Sequence, residues 1–262
     1  MARIYPLFSS SSGNSCFIGD KSGGILIDAG TSCRRITAAL RLSGIEPEAV
    51  RAVFITHDHS DHIGALRVLT KNRQVPVYAS KGTVTYLVNS GNISEGCCAD
   101  VVDENGVEAA GFFVRAFHTP HDAIESVFYK VATPDGKTCC VCTDLGYVPE
   151  EISRELAGSD LVLIESNYDE SMLRNGPYPF YLKQRIASQL GHLSNSDSAR
   201  EVKKLIRGGT RQIILGHLSQ HNNTPAVAEA ALMRELGAEF QRNRDYMLTI
   251  APVETKGSGV AF

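Results

Sequence analysis

The stretch Ile55-Thr56-His57-Asp58-His59-Ser60-Asp61-His62-Ile63-Gly64 sets three imidazoles and two carboxylates within six residues directly after the apolar run Ala52-Val53-Phe54-Ile55. An apolar run bounded by a polar loop reads as a buried strand. If the backbone stays extended past it, side chains two apart share a face, so His57 and His59 point together while Asp58 turns away. Asp61 and His62 fall where a helical pattern begins at Gly64, and the change of direction lets them address a second point beside the first. A lone histidine in a loop is usually structural, but imidazole and carboxylate at this density form the donor set of a metal site. One loop can begin two such sites.

Outward from this loop, strand and helix patterns alternate. Ile4 to Phe8 reads as a strand, Ser9 to Ser15 as a flexible polar turn, and Cys16-Phe17-Ile18 with Ile25-Leu26-Ile27-Asp28 as a hairpin across Gly19 to Gly24. Ile36 to Leu42 has helical spacing and stops at Ser43-Gly44. Gly64 to Thr70 continues the loop as a short helix, and Val75 to Tyr78 is a further strand. Val114 to Phe117 ends in His118-Thr119-Pro120-His121-Asp122-Ala123, where two histidines compete for one role. Thr138 to Thr143 ends in Asp144-Leu145-Gly146. A carboxylate there can reach two cations with its two oxygens, and a turn aspartate is the ordinary alternative. Leu161 to Ile164 is a buried strand that emerges at Glu165-Ser166-Asn167.

Gly191-His192-Leu193-Ser194-Asn195 leads into a helix with Ala199, Val202, Leu205 and Ile206 on one stripe, capped by Asn195 or Ser196. Gln212 to Leu215 ends in Gly216-His217-Leu218-Ser219, and Thr224-Pro225 opens a last helix as N-cap and first-turn proline. Tyr246 to Ile250 closes with a strand. With no internal repeat and no linker, the expectation is a single α/β domain over residues 1–262.

Thr-His-x-His-x-Asp-His after a strand resembles the signature of the metallo-β-lactamase-fold hydrolases. Glu-Ser-Asn, Gly-His-Leu-Ser-Asn and the second His-Leu-Ser resemble the C-terminal half of ribonuclease Z-like phosphodiesterases. Pro-His-Asp-Ala, Gly-Pro-Tyr-Pro and Asn-Asn-Thr-Pro are similar to the bacterial YycJ/VicX (WalJ) subgroup, and the likeness runs from Phe8 to Pro225. The resemblance implies a four-layer αββα sandwich holding two divalent metal ions, Zn²⁺ or Mn²⁺. It implies His57, His59, His121 and Asp144 as ligands of one ion, and Asp61, His62, Asp144 and His217 as ligands of the other, with Asp144 as the bridge. It selects His121 over His118, which then serves as packing or support, and it sets Asp28 beneath the loop as an orienting carboxylate.

The same resemblance makes a hydroxide shared by the two ions the nucleophile and His192 the acid that protonates the leaving alkoxide. His192 and Asp61 are thus the catalytic candidates. The activity implied is phosphodiester hydrolysis, in the form of a 5′-to-3′ exonuclease acting on DNA in repair. Two alternatives stand beside it: hydrolysis of a thioester or cyclic phosphodiester on the same fold, and a regulatory metal-binding protein linked to two-component signalling.

Composition narrows the classes further. A chain of 262 residues with 43% hydrophobic content can bury a sizeable core. No apolar run approaches a membrane span and the N-terminus lacks a signal-peptide core, so a cytoplasmic protein without a membrane partner is expected. Oligomeric state is not legible. Seven cysteines is an odd count, and Cys139-Cys140-x-Cys142 alternates faces along a strand, which argues for inert thiols over a disulfide framework.

The net charge of -3 argues against general affinity for nucleic acid, yet Ser171 to Arg211 holds eight basic and two acidic residues, or +6, leaving -9 for the remainder. A solvated helix face is one reading of that run and a nucleic-acid track is the other. Within it, Tyr178-Pro179-Phe180-Tyr181 precede Lys183 and Arg185, so that bases can stack while the cations meet phosphate. A proline-rich turn with its aromatics on the core is the alternative. Tyr178, Lys183 and Arg185 are the candidate substrate contacts.

Overall fold

The computed structural model describes residues 2–262, and the chain forms two compact units. The first comprises the residues up to His118 together with Ala123–Lys137 and Pro252–Phe262. Its sheet runs in sequence order through β1 (Arg3–Ser10), β2 (Gly13–Asp20), β3 (Gly23–Ile27), β4 (Val50–Ile55), β5 (Val77–Ala79) and β6 (Ala99–Val101), with the C-terminal strand Val260–Ala261 outside β1. Tight turns join the antiparallel strands β1 to β3. The parallel strands β3 to β6 need crossovers, supplied by α1 (Cys33–Leu42), then α2 (Ser60–Ile63) with α3 (Leu66–Arg73), then α4 (Lys81–Asn89). The strands β7 (Val107–Ala109), β8 (Phe112–His118) and β9 (Val127–Ala132) form an antiparallel meander in the same unit.

β4 is buried from Ala52 to Ile55, as a central parallel strand covered on both faces should be. Phe17, Leu26, Val53 and Ile55 pack there with Ile36 and Leu40 of α1 and Leu66 and Leu69 of α3. Ser32 caps α1 by accepting from Arg35 N. The expected turn over Ser9 to Ser15 is shorter than its composition suggests: Ser9 pairs with Asn14 and Ser10 with Gly13, leaving only Ser11-Ser12 between strands. These polar residues enter the sheet because the fold satisfies them, as when Ser15 Oγ donates to Asp28 O and Asn14 Nδ2 to Ser10 O.

The second unit comprises Thr119–Asp122 and Thr138–Ala251. Four parallel strands lie side by side in it: β10 (Thr138–Cys142), β11 (Leu161–Glu165), β12 (Gln212–Gly216) and β13 (Met247–Ile250). The helices are α5 (Glu150–Leu156), α6 (Glu170–Asn175), α7 (Phe180–Ile186), α8 (Asn195–Arg207) and α9 (Pro225–Leu236). Open parallel sheets present functional groups at the carboxyl ends of their strands, and Asp144, Glu165 and His217 all stand there.

Thr224 caps α9 with Pro225 in its first turn, as the sequence indicates. The cap of α8 falls one residue before the expected Asn195 or Ser196. Ser194 Oγ accepts from Asp197 N, while the Asn195 amide turns inward to Ser166 and Asn223. Within the stretch read as a proline-rich turn, for which the sequence predicts no helix, α7 starts after Pro179. All seven cysteines are free thiols. Among the described residues no helix is long and apolar enough to cross a membrane.

Candidate metal centre

In the first unit, β4 leads into Thr56 and His57, the chain bends at Asp58, and His59 takes the N-cap position of α2 without a side-chain cap. The rings of His57 and His59 lie 4.6 Å apart, centre to centre, across that bend. α2 then brings His62 to 4.0 Å from His57, ring to ring, with Asp61 Oδ2 at 3.6 Å from His62 Nε2. His57 and His62 are fully buried.

Asp28 braces this loop from below. Its backbone is left-handed, with φ of 61°, a conformation that costs a non-glycine residue free energy and tends to mark functional positions. Its carboxylate accepts from Thr56 N at 2.8 Å, from Thr56 Oγ1 at 2.9 and 3.0 Å, and from His62 Nδ1 at 2.8 Å. With the proton on Nδ1 committed, the lone pair of His62 is at Nε2. The Thr56 hydroxyl, having donated to Asp28, is left as acceptor for His57 Nδ1 at 3.0 Å, which fixes the same tautomer in a second ring.

Close backbone approach completes the brace. Ala29 N donates to His62 O at 2.8 Å, and a Cβ on Gly30 would stand 1.5 Å from Asp61 O, so only glycine fits. Asn14 Nδ2 reaches Asp61 Oδ2 at 3.2 Å and His62 Nε2 at 3.0 Å. Asp58, turned away from the two histidines, accepts from Ile124 N at 3.0 Å.

The second unit organises its site around a different carboxylate. Glu165, with no exposed surface, takes both His192 Nδ1 (2.8 Å) and His217 Nδ1 (2.6 Å) on Oε1. Its Oε2 accepts from Leu145 N at 3.2 Å and Leu193 N at 3.3 Å. Asp144 and His217 share with Asp28 a left-handed backbone, with φ of 60° and 53°. Donor atoms of Asp144, Glu165, His192 and His217 all lie within 4.8 Å of one another. Asp144 Oδ1 is also 3.8 Å from His121 Nε2, while His121 Nδ1 donates to Gly191 O at 3.0 Å. Glycine is again required where loops touch: a Cβ on Gly146 would stand 2.3 Å from Gln189 O, and one on Gly191 would stand 2.2 Å from Ile186 O.

Burial would raise the Glu165 carboxyl, but His192 and then His217 outweigh it and hold the group at about 2. Burial lowers the His121 imidazole below the usual histidine range, against the raising pull of Asp144, which favours the neutral form that a metal ligand requires. Sequence reading passed over Glu165. Its signal was visible nonetheless, as a carboxylate at the carboxyl end of an otherwise apolar parallel strand. His118 was expected to pack or to support the site, and it does neither: its side chain is 70% exposed, 3.7 Å from Glu125.

Residues 24–218 match the β-lactamase superfamily domain, a span that includes residues of both units. The chain belongs to that superfamily. It is 35% identical over 233 residues to the exodeoxyribonuclease WalJ of Streptococcus pneumoniae serotype 2 (strain D39 / NCTC 7466), covering 88% of this chain and 86% of that protein. It is 34% identical over 238 residues to the exodeoxyribonuclease YycJ of Bacillus anthracis, covering 88% and 87%. Among solved structures, the metallo-β-lactamase fold protein YhfI from Bacillus subtilis aligns over 97% of this chain and 98% of its own, at 16% identity and a TM-score of 0.73. Zn²⁺-bound PqqB from Methylobacterium extorquens covers 100% of both chains at 14% identity and a TM-score of 0.71. The fold is therefore the mixed α/β fold of the metallo-β-lactamases.

This superfamily member carries its expected substrate contacts on and beside α7. Arg185 forks onto Asp122, with Nε–Oδ2 at 2.5 Å and Nη2–Oδ1 at 2.9 Å, next to His121. Lys183 Nζ donates to Arg174 O at 2.8 Å. Tyr178 packs against Tyr168, Leu173 and Ile186 and meets His221 edge-on. The aromatic rings left in the open are Phe180 and Tyr181, 74% and 73% exposed.

Proposed function

We propose that the chain is a metal-dependent nuclease that hydrolyses phosphodiester bonds of DNA from a strand end, with both units contributing to one hydrolase domain. The two exodeoxyribonucleases at 35% and 34% identity, each matched over more than four-fifths of its length, support the activity. His57, His59, Asp61, His62, His121, Asp144 and His217 would hold two divalent cations, Asp144 as the shared ligand. Imidazole nitrogen and carboxylate oxygen suit zinc or manganese. Bound cations would supply a water of lowered pKa and a clamp on the phosphate oxygens.

The protein's own groups do the orienting. Asp28 and Thr56 hold Nδ1 of His62 and of His57, and Glu165 holds Nδ1 of His192 and of His217, which in each ring directs Nε2 to the chemistry. The observation that carries the phosphodiesterase reading is the Glu165–His192 pair. An alkoxide leaving group needs a proton, and His192, partly open to solvent and fixed at Nδ1, can deliver one from Nε2. Phe180 and Tyr181 offer faces for bases, with Tyr178, Lys183 and Arg185 beside them. A 5′-to-3′ direction, a part in DNA repair and a cytoplasmic location complete the proposal.

Metal analysis followed by cleavage of end-labelled single- and double-stranded DNA and RNA, with Mn²⁺ and Zn²⁺ supplied separately, tests it. Release of nucleotides from the 5′ end of DNA is the expected result. Protein that holds two ions per chain and leaves DNA intact would overturn the reading.

A further inference from the structure

Helices α1 and α3 carry Arg34, Arg35, Arg41, Arg67, Lys71 and Arg73 and no acidic residue. Their apolar faces are spent on the core through Ile36, Ala39 and Leu40 on α1 and Leu66 and Leu69 on α3, so the basic side chains are directed outward. Arg35 is engaged, with Nη2 at 2.7 Å from Glu254 and its guanidinium over the Phe8 ring. Arg41 and Arg73 have only loose contacts of 3.9 Å with the exposed Glu46 and Glu48, pairs of little energetic value. Among the described residues Arg34, Arg67 and Lys71 make no side-chain ion pair or hydrogen bond.

The cations border two hollows. One, of about 500 Å³, lies between the helices and is lined by Arg34, Thr37, Ala38, Arg41, Val68 and Asn72. The other, of about 690 Å³, has Arg67 and Lys71 along one wall and Ser94 and Glu95 among its other residues. Arg67 and Lys71 are one helical turn apart, about 6 Å, and Arg34 and Arg41 two turns, about 10 Å. Such spacings are comparable with the Debye length of about 8 Å at physiological salt, so neighbouring potentials reinforce one another. Both helices also start from the braced loop: Ala65 N, just before α3, donates at 2.7 Å to Ala29 O, beside Asp28, and α1 begins a few residues beyond.

The basic run from Ser171 to Arg211 is different. Arg185, Arg200, Lys203, Lys204 and Arg207 are all in ion pairs, and Lys183 and Arg211 donate to backbone carbonyls. We infer that the α1–α3 face, and not that run alone, binds the phosphodiester backbone of the substrate strand beyond the bond being cut. The inference rests on the nuclease reading for its choice of polyanion. Guanidinium groups suit phosphate through paired N–H donors, and the small uncharged floor of Thr37, Ala38 and Val68 leaves room for a strand between the cationic walls.

The test uses the full metal-loaded chain in two forms: R34Q/R41Q/R67Q/K71Q, and R34K/R41K/R67K, which keeps every charge. Affinity for a long single-stranded DNA is measured over a range of KCl concentrations, beside turnover of that DNA and of bis(p-nitrophenyl) phosphate. Each lost phosphate contact on a single strand should flatten the logarithmic salt dependence by about 0.7, so the glutamine form should lose up to about 3 from its slope. The lysine form should keep most of it, and the small ester should be turned over equally by all three proteins. If wild type cuts DNA and the glutamine form binds it with unchanged affinity and slope, the inference is wrong and the face serves an acidic protein or nothing. A wild type that binds but does not cut, with binding lost in the glutamine form, would overturn the nuclease reading and leave the face standing. Absence of DNA binding in wild type would overturn both.

Discussion

The histidine loop of the first unit and the glutamate-centred cluster of the second solve the same problem by opposite means. His57, His59, Asp61 and His62 are neighbours in sequence, so a strand that turns into a helix is enough to aim them, and Asp28 with Gly30 only braces what local geometry has begun. His121, Asp144, His192 and His217 come from four separate connections. Nothing local aims them, and in their place one buried carboxylate collects two imidazoles and two backbone amides. A site assembled from distant segments therefore depends on a single charge in a way that a contiguous motif does not.

The largest effect should follow from removing that charge. Glu165→Gln is expected to lower stability by about 3 kcal/mol, because it breaks a buried charged network, and to cost metal and activity through His217 and His192 together. Chemical denaturation with metal analysis checks it. A variant with wild-type stability and full metal content would mean that the second cluster, like the first, is aimed by its backbone.

His192→Ala isolates one arm of the cluster. It is expected to keep both ions and lose a factor of about 10²–10⁴ on DNA, the usual worth of a positioned general acid. The loss on bis(p-nitrophenyl) phosphate should be far smaller, since nitrophenolate leaves without a proton. Equal kcat/KM losses on the two substrates would remove His192 from the role of acid, and loss of metal would make it a ligand.

On the first unit, Asp28→Asn should be milder than Glu165→Gln. Loss of an outer hydrogen-bond partner typically reduces metal affinity about 10–100-fold, and the Thr56 and His62 positions remain set by β4 and α2. Competition with a chelator measures this directly. A loss greater than that of Glu165→Gln would reverse the contrast between the two plans.

The smallest expected effect is in the acid limb of stability of the metal-free protein. His121 titrates below its ordinary value in the fold, so the unfolded chain binds the proton first and stability falls as pH drops below 6.5. Glu165, lowered from 4.5 to about 2, contributes stability that is complete above pH 4.5 and is lost as pH falls toward 2. Denaturation midpoints between pH 7 and 3 should decline throughout. A midpoint that rose on acidification would contradict both assignments.

The sequence by itself determined the elements whose signals are local. The run Ala52 to His62 is legible because strand period, ligand chemistry and helix start all lie within eleven residues, and Thr224-Pro225 because a cap needs only its own helix. Asp144 and His217 each end an apolar strand, but it is the family resemblance of the motifs around them that singles them out as ligand candidates. The position of Glu165 at the end of an apolar strand was legible, but tertiary structure decided its role, which depends on partners 20 to 52 residues away in sequence, and the fate of Ser9 to Ser15, where strand pairing overrode polar composition. It also decided which cations are available. A count along the chain makes 171–211 the basic segment, yet Asp122, Glu235 and Glu239 fold back to neutralise part of it, while α1 and α3, lying in the acidic remainder, keep several charges in the open. Charge composition follows from residue order, but charge pairing follows from distance, and only the folded chain brings an acid within reach of one cation and leaves another without one.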